Sequence, residues 1–321
     1  MKLLDWIDIE KLDWVRLSNN PNAIHLLQQN PGKISWDYLS RNPNAIHLLE
    51  LEQNPGKISW DYLSKNPGAI HLLEQNPNKI DWYNLSLNPR AIHLLEKNLD
   101  KIYWHWLSRN PNAIHLLEKN LDKIDWNWLS RNPNAIHLLE KNQDKIDWYN
   151  LSLNPEATHL LEKNLDKIDW NWLSRNPKAI YLLEKNINKI NWCQLSINPN
   201  AIHLLEKNQD KIDWQWLSLN PNAIHLISET LEQNRNEVNW FLLSENPNAI
   251  HLLEKNLDKI DWYWLSNNPS IFTYDYEKIK DHIEKSGLKD EIIASYYSPN
   301  NVSKFLQRGD VESGFETRWS C

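Results

Sequence analysis

The chain has 321 residues and a net charge of −7 at pH 7, with charges of both signs interspersed. This balance excludes a general electrostatic drive toward nucleic acid or anionic membrane surfaces. The 19 tryptophans and 11 tyrosines exclude a disordered chain, and only 6 glycines argue against flexible linkers. Cys193 and Cys321 are the only cysteines, so we predict no disulfide framework, which fits a reducing compartment.

The beginning of the chain carries acidic residues and no long apolar run. We therefore expect neither a signal peptide nor a membrane span, and a cytoplasmic location follows as the prediction. Cys321 is the last residue given, so we expect no prenylation signal. Residues 1–11 hold a partial repeat in which Leu4-Asp5-Trp6 imitates Ile124-Asp125-Trp126. We predict that this segment is an N-terminal cap over the first edge of a repeat array.

Most of the chain, residues 12–269, consists of twelve copies of one unit, and residues 124–142 are a complete example. Each copy has an anchor tryptophan, and these are Trp14, Trp36, Trp60, Trp82, Trp104, Trp126, Trp148, Trp170, Trp192, Trp214, Trp240 and Trp262. The anchors are 22 residues apart, except for 24 after Trp36 and 26 after Trp214. A fixed short period indicates a solenoid. We number the copies as repeats 1 to 12 in chain order.

Each unit predicts two short helices. The residue before the anchor is Asp, Ser or Asn in all copies but the one with Tyr103, and these types cap helix N-termini. The first helix should begin at the tryptophan and end at an invariant Asn-Pro, because a residue before proline avoids helical angles. We expect that Asn to cap the second helix, with Pro at its first position. Another recurrent Asn should end the second helix in the left-handed conformation.

Helical spacing divides each unit into a face toward the core and a face away from it. In repeat 6 the predicted core-facing residues are Trp126, Leu129, Ser130, Ala135, Ile136, Leu138 and Leu139. The serine hydroxyl is expected to bond a nearby backbone carbonyl. One unit cannot bury its apolar face alone, so neighbouring units must stack.

The predicted fold is all-α, a solenoid of about twelve 22-residue helix-turn-helix repeats with N- and C-terminal caps. A leucine-rich repeat is the alternative, since its period range includes 22 residues, but the Leu-x-Leu-x-x-Asn pattern is absent. An open stack of this kind predicts a curved rod on the order of 100 Å long.

The chain departs from the repeat pattern after residue 269. Residues 270–308 predict a helical C-terminal cap with helices at 274–285, 288–297 and 300–307, and residues 309–321 predict a mobile tail. Within the array, the insertions at Leu51-Glu52 and at Ser228 to Leu231 should each lengthen a helix or loop.

The unit Lys-Ile-Asp-Trp-x-x-Leu-Ser-x-Asn-Pro-Asn-Ala-Ile-His-Leu-Leu-Glu-Lys-Asn resembles the tryptophan and Asn-Pro repeat of many predicted giant DNA virus proteins. The segment from Asn268 to Lys280 is similar to the one that commonly closes those arrays, whereas the end from Phe315 to Cys321 does not match. The resemblance covers residues 12 to about 308. The resemblance implies a viral origin and a helical repeat, with a location in the host cytoplasm or the virion. It implies no catalytic residue.

One slot of the second helix holds a histidine in ten copies: His25, His47, His71, His93, His115, His137, His159, His203, His225 and His251. Stacking should align these histidines. Zinc ligands lie about 2 Å from the ion, whereas packed helices are roughly 8–10 Å apart, so we favour a polar face over a metal site. His93, His115, His137 and His159 are the alternative binding surface. In this interpretation each histidine neighbours a glutamate on its own helix, as His137 does Glu140.

No catalytic motif stands out. The sequence contains no glycine-rich phosphate loop, no Gly-x-Ser-x-Gly and no His-Glu-x-x-His. We therefore expect a protein that is not an enzyme and that needs no cofactor and no metal.

The positions one, two and five residues after the anchor vary most between copies. One group pairs Trp with Arg, in Trp106 and Arg109, Trp128 and Arg131, and Trp172 and Arg175. Another pairs Asn or Gln with an aliphatic residue, in Asn84 and Leu87, Asn150 and Leu153, and Gln194 and Ile197. Exposed Trp and Arg are enriched at binding hot spots. The other interpretation is that these side chains only pack against neighbouring helices.

Two classes of function fit the sequence. A scaffold that binds an unknown protein partner through the Trp and Arg positions is the first. The second reads single-stranded nucleic acid by stacking bases on the same positions. The net charge and the aliphatic residues in these slots disfavour the second. The oligomeric state stays open.

Overall fold

The computed structural model describes residues 1–50, 55–233, 237–286 and 295. The described residues form two units, one of Leu3–Phe272 and the other of Met1–Lys2 with the described residues from Thr273 onward. The insertion at Leu51-Glu52, the helices expected at 288–297 and 300–307, and the tail at 309–321 lie outside the described residues.

The unit of residues 3–272 is an all-α repeat array, as the sequence predicted. The first helices span Trp14–Asn19, Trp36–Leu39, Trp60–Lys65, Trp82–Leu85, Trp104–Leu107, Trp126–Ser130, Trp148–Ser152, Trp170–Arg175, Trp192–Ile197, Trp214–Leu217, Trp240–Glu245 and Trp262–Leu265. The second helices span Ile24–Gln29, Ile46–Glu50, Ile70–Gln75, Ile92–Glu96, Ile114–Glu118, Ile136–Lys141, Thr158–Glu162, Ile180–Lys185, Ile202–Glu206, Ile224–Glu232 and Ile250–Glu254. The helix Ile224–Glu232 is longer than the others because it contains the second insertion.

Short 3₁₀ helices connect many of these elements. Those before a first helix span Ile9–Lys11, Pro31–Lys33, Pro55–Lys57, Pro77–Lys79, Leu99–Lys101, Leu121–Lys123, Gln143–Lys145, Ile187–Lys189 and Gln209–Lys211. Those at the Asn-Pro turn span Pro133–Ala135, Pro247–Ala249 and Pro269–Ile271. Two short strands, Lys2–Leu3 and Phe272–Thr273, pair with each other. The helix Tyr276–Ser286 follows in the chain, and its bounds nearly match those of the helix predicted at 274–285.

The expected caps hold for most of the first helices. The side chains that accept a backbone N–H of the first turn are Asp13, Asp81, Asp125, Asp147, Asp169, Asn191, Asp213, Asn239 and Asp261. Ser35 and Ser59 occupy the same position and make no such bond. Tyr103 has no side-chain cap bond either.

The core consists of leucines and alanines, and the anchor tryptophans lie at its margin. Leu129, Ala135 and Leu139 of repeat 6 are fully buried, whereas Trp126 is half-buried. The ammonium of Lys145, from the next repeat, lies 4.7 Å from the centre of the Trp126 ring. The prediction that the anchor belongs to the core-facing side is therefore only partly right, because its ring packs on the margin of the core and lies under a lysine from the next repeat.

The asparagine of the Asn-Pro pair joins neighbouring repeats. The buried Asn132 amide donates to the carbonyl oxygens of Ser108 and Asn110 in the preceding repeat, both at 3.0 Å. Its Oδ1 accepts the Asn134 N–H at 3.1 Å, so it caps the turn, while the second helix begins at Ile136. The predicted capping role is confirmed at this turn, because Asn132 caps the 3₁₀ helix Pro133–Ala135 that leads into the second helix. The bonds of its amide between repeats are an additional role. We call the repeated set of these bonds the asparagine ladder.

The invariant serine also links two repeats. Ser130 Oγ donates to the carbonyl of Trp126 at 2.7 Å, as the sequence predicted. It also accepts the backbone N–H of Asp147 from the next repeat at 3.0 Å, which the sequence did not indicate. Asn142, at the end of the second helix, has φ of −132° and not the expected left-handed conformation. Its amide instead donates to the Leu138 carbonyl at 2.9 Å and so satisfies the end of the helix.

The ladder also joins repeat 1 to repeat 12, so the array closes on itself. The Asn20 amide donates to the carbonyl oxygens of Ser266 and Asn268 at 3.1 and 3.0 Å. The Asp13 N–H donates to Ser266 Oγ at 2.8 Å. Lys11 covers the Trp262 ring at 5.0 Å from its centre, as other lysines cover the anchor of the preceding repeat. The prediction of an open curved rod was wrong, because the two terminal repeats stack with the contacts used inside the array.

The N-terminal segment takes the place of a missing second helix in repeat 12. Ile271 and Phe272 are buried where other repeats begin that helix, and the Leu4 N–H donates to the Ile271 carbonyl at 3.0 Å. The 3₁₀ helix Ile9–Lys11 then leads into repeat 1, as Leu121–Lys123 leads into repeat 6. Residues 3–11 of the segment predicted as a cap therefore belong to the array and contact its last repeat.

The first helices form the inner layer of the closed array. The closest approaches between corresponding helices of adjacent repeats join first helices, such as Trp126–Ser130 and Trp148–Ser152. Second helices are bridged by pairs of long side chains, such as His137 and Glu118. The layer with the shorter repeat spacing has the shorter circumference and must lie nearer the axis. The first-helix face that points away from the second helix therefore faces inward.

Closure can be tested by removing one acceptor. Replacing Ser266 by Ala leaves the Asp13 N–H without its partner, so we expect the Asp13 amide to exchange faster by an amount equivalent to about 1–3 kcal/mol. Hydrogen exchange followed by mass spectrometry or NMR measures this. Ser130→Ala is the matched control, and it should affect Asp147 and leave Asp13 unchanged. No change at Asp13 in Ser266→Ala would show that the array is open in solution.

The anchor tryptophan can be tested in the same array. Because Trp148 packs on the core and lies under Lys167, we expect Trp148→Ala to lower the local unfolding free energy by about 3 kcal/mol. Hydrogen exchange should show the loss in repeat 7 and its two neighbours, since each repeat contacts only adjacent ones. A uniform loss around the array would contradict this prediction.

Candidate binding surface of the first helices

The predicted Trp and Arg positions all lie on the inward face of the first helices, and the structure brings some of them together. The half-buried Trp106 and Trp128 have ring centres 5.6 Å apart, with an angle of 36° between the ring planes. Trp172 lies two repeats further and contacts Tyr149 edge-on at 5.4 Å. Tyr83 contacts Trp106 edge-on at 5.2 Å. The tyrosines occupy the position directly after the anchor, for which the sequence indicates only variability between copies.

Trp128 is enclosed by neighbouring side chains. Its indole N–H donates to His105 Nε2 at 2.6 Å, and His105 Nδ1 lies 2.5 Å from Asp125 Oδ2. Because an indole N–H can only donate, Nε2 is the acceptor in this contact and Nδ1 faces the carboxylate. The guanidinium of Arg109 lies over the Trp128 ring, 5.1 Å from its centre. Arg109 thus covers the tryptophan of the next repeat, whereas the sequence had paired it with Trp106.

The three arginines beside these tryptophans have no acidic partner. Among the described residues, no carboxylate lies within ion-pair distance of Arg109, Arg131 or Arg175. Burial, followed by the charges of Arg109 and Arg175, lowers the pKa of Arg131 below its ordinary value. The arginines are therefore close enough to repel one another, and this arrangement favours an anion between them.

We call this part of the inner face the aromatic–arginine patch. It consists of Tyr83, His105, Trp106, Arg109, Trp128, Arg131, Tyr149, Trp172 and Arg175. The patch is not continuous, since Asn150 and Leu153 of repeat 7 separate its two parts.

Other parts of the same face have different contacts. Arg16 in repeat 1 stacks on Tyr263 and Trp264 of repeat 12, at 4.3 and 4.5 Å. Arg41 in repeat 2 lies 3.6 Å from the ring centre of Tyr62. An arginine over an aromatic ring from an adjacent repeat is thus a recurring contact, and the ring is a tyrosine in some copies and a tryptophan in others.

The histidines of the alternative surface pair with glutamates of the preceding repeat. The distances from Nε2 to Oε1 are 2.8 Å for His93 and Glu74, 2.7 Å for His115 and Glu96, 2.8 Å for His137 and Glu118, and 2.8 Å for His159 and Glu140. The sequence had placed Glu140 beside His137 on the same helix, whereas the structure pairs it with His159. The pairs are nearly half exposed, and they join the second helices.

In the described ranges, no three His, Cys, Asp or Glu side chains are close enough to hold a metal ion. Burial, and then the carboxylate of Asp213, raises the pKa of the Cys193 thiol, which is the opposite of activating a nucleophile. In the same part of the chain, no helix combines the length and apolar character needed to cross a lipid bilayer.

Comparison of the chain with models of protein families, with curated proteins and with solved structures gives no match. The assignment of a binding surface therefore rests on the geometry of the first helices. The viral origin suggested by the repeat unit stays a prediction.

The exposed histidine pairs should contribute little to stability. We expect Glu118→Gln, which weakens the pair with His137, to lower the unfolding free energy by less than about 1 kcal/mol. Urea unfolding of the full chain measures this, and Trp148→Ala provides the contrast. A loss as large as that of Trp148→Ala would show that these pairs hold the repeats together.

Proposed function

We propose that this protein is a non-catalytic scaffold that binds a protein partner on the aromatic–arginine patch. The observation that carries the proposal is a division of roles within each repeat. The asparagine of the ladder and the serine that bonds the next repeat are the same in every copy. The residues one, two and five positions after the anchor differ between copies. Packing alone does not require several half-buried tryptophans beside arginines that lack acidic partners.

The patch has the residue types that dominate protein interfaces. Tryptophan, tyrosine and arginine are enriched among residues that lose much binding energy on truncation. Trp106 and Trp128 are already held by each other and by His105 and Arg109, so little conformational entropy is lost when a partner binds. The patch is in this sense a pre-organised surface.

The biological setting is also part of the proposal. The resemblance of the unit to giant DNA virus repeats supports a viral protein that acts in the host cytoplasm or is a component of the virion. In this setting, the partner is a viral or host protein present in infected cells.

The test compares two tryptophans in the same slot of different repeats. Trp172 belongs to the patch, whereas Trp216 lies outside it and is 41% exposed. We expect Trp172→Ala to weaken partner capture by more than about 1 kcal/mol and Trp216→Ala to have little effect. Cross-linking and quantitative pull-down from infected cells measure capture, and thermal unfolding checks that both variants fold.

Two results would count against the proposal. Equal capture by both variants would remove the patch as the binding surface. If Trp172→Ala destabilised the array as much as Trp148→Ala, the side chain would be ordinary packing. The surface formed by His93, His115, His137 and His159 would then be the next candidate.

A further inference from the structure

The charges of the inner face are unevenly distributed around the array. In repeats 4 to 8, the three variable inward positions hold Arg109, Arg131 and Arg175 and no acidic residue. Among the other repeats, acidic residues enter these positions only as Asp37, Asp61 and Glu245, and the basic residues there are Arg16, Arg41 and Lys65. The variable positions of the patch are thus positively charged, on a chain whose net charge is −7. A partner is steered to such a region by opposite charge.

The carboxylates of the helix caps keep their charge, but none of those described forms an ion pair with these arginines. The caps Asp125, Asp147 and Asp169 accept backbone N–H groups of their own helices. Asp125 also accepts from His105. The arginines of the patch therefore keep their capacity for charge-assisted hydrogen bonds to a ligand.

The two tryptophans that contact each other in the patch have their ring faces partly occupied. Trp106 and Arg109 lie against Trp128, and His105 contacts its edge. Reading a single-stranded nucleic acid needs exposed ring faces on which bases stack. A carboxylate of a protein partner can bind to the guanidinium groups alone, and apolar side chains of the partner can pack against the edges of the rings.

From these observations we infer that the aromatic–arginine patch binds an extended acidic segment of a protein partner, through carboxylates on Arg109, Arg131 and Arg175. The inference rests on the proposed function and names the chemistry of the partner. The arginines span three repeat steps of roughly 8–10 Å each, so the bound segment should cover about 25–30 Å. At about 3.3 Å per residue, this corresponds to about eight residues.

The experiment uses the full chain and three labelled probes. These are a peptide of about ten alternating Glu and Leu residues, the same peptide with Gln for Glu, and a thymidylate oligonucleotide of about ten nucleotides. Fluorescence anisotropy gives the dissociation constants over a series of salt concentrations. The Glu peptide should bind at least about tenfold more tightly than the Gln peptide, and salt should weaken its binding.

Two pairs of substitutions locate the site. Arg109→Gln with Arg175→Gln removes two exposed charges of the patch, and it should weaken binding of the Glu peptide about tenfold or more. Arg41→Gln with Arg90→Gln is the control, since Arg41 has the same slot in repeat 2 and Arg90 lies outside the inner face. The control should leave the dissociation constant unchanged.

The acidic-segment inference fails if the Glu peptide does not bind, if the Gln peptide binds equally well, or if the control pair has the same effect as the patch pair. Tighter binding of the oligonucleotide than of the Glu peptide would indicate a nucleic-acid surface instead. The pull-down from infected cells distinguishes a failure of the acidic-segment inference from a failure of the proposed scaffold function. Capture that depends on Trp172 but not on Arg109 and Arg175 would retain the scaffold and remove only the acidic segment.

Discussion

The buried asparagine of the Asn-Pro pair is the contact on which the rest of the structure depends. Most helices of the repeats have only one or two turns, and helices this short cannot satisfy their end groups or bury an apolar face alone. The asparagine amide supplies donors to two carbonyls of the preceding repeat, and the serine hydroxyl accepts an N–H from the following one. Stacking therefore satisfies buried polar groups while it buries the leucines.

The same bonds explain why insertions and closure are tolerated. Asn66 reaches Ser40 and Asn42 across one insertion, and Asn246 reaches Ser218 across the other. Extra residues therefore leave the ladder intact. Asn20 completes the ladder between the first and last repeats, so the array of residues 3–272 has no end at which buried polar groups or the apolar core would be exposed.

Closure also separates structural positions from those free to carry function. The ladder and the leucine core occupy the contacts between helices, whereas the inward positions of the first helices can change without breaking them. The sequence located the tryptophans and arginines of the patch because variation and hot-spot residue types coincide there. It did not indicate His105 or the placement of Arg109 over Trp128, since both depend on the offset between adjacent repeats.

The sequence by itself determined the period, the helical class, most N-terminal caps and the places where helices end, because these follow from short-range rules about Asp, Asn and Pro. Tertiary structure decided that the anchor tryptophan lies under a lysine of the next repeat and that His137 pairs with Glu118 rather than Glu140. It also decided that the array closes. Closure requires twelve small rotations between repeats to add up to one turn, and no single unit encodes that sum.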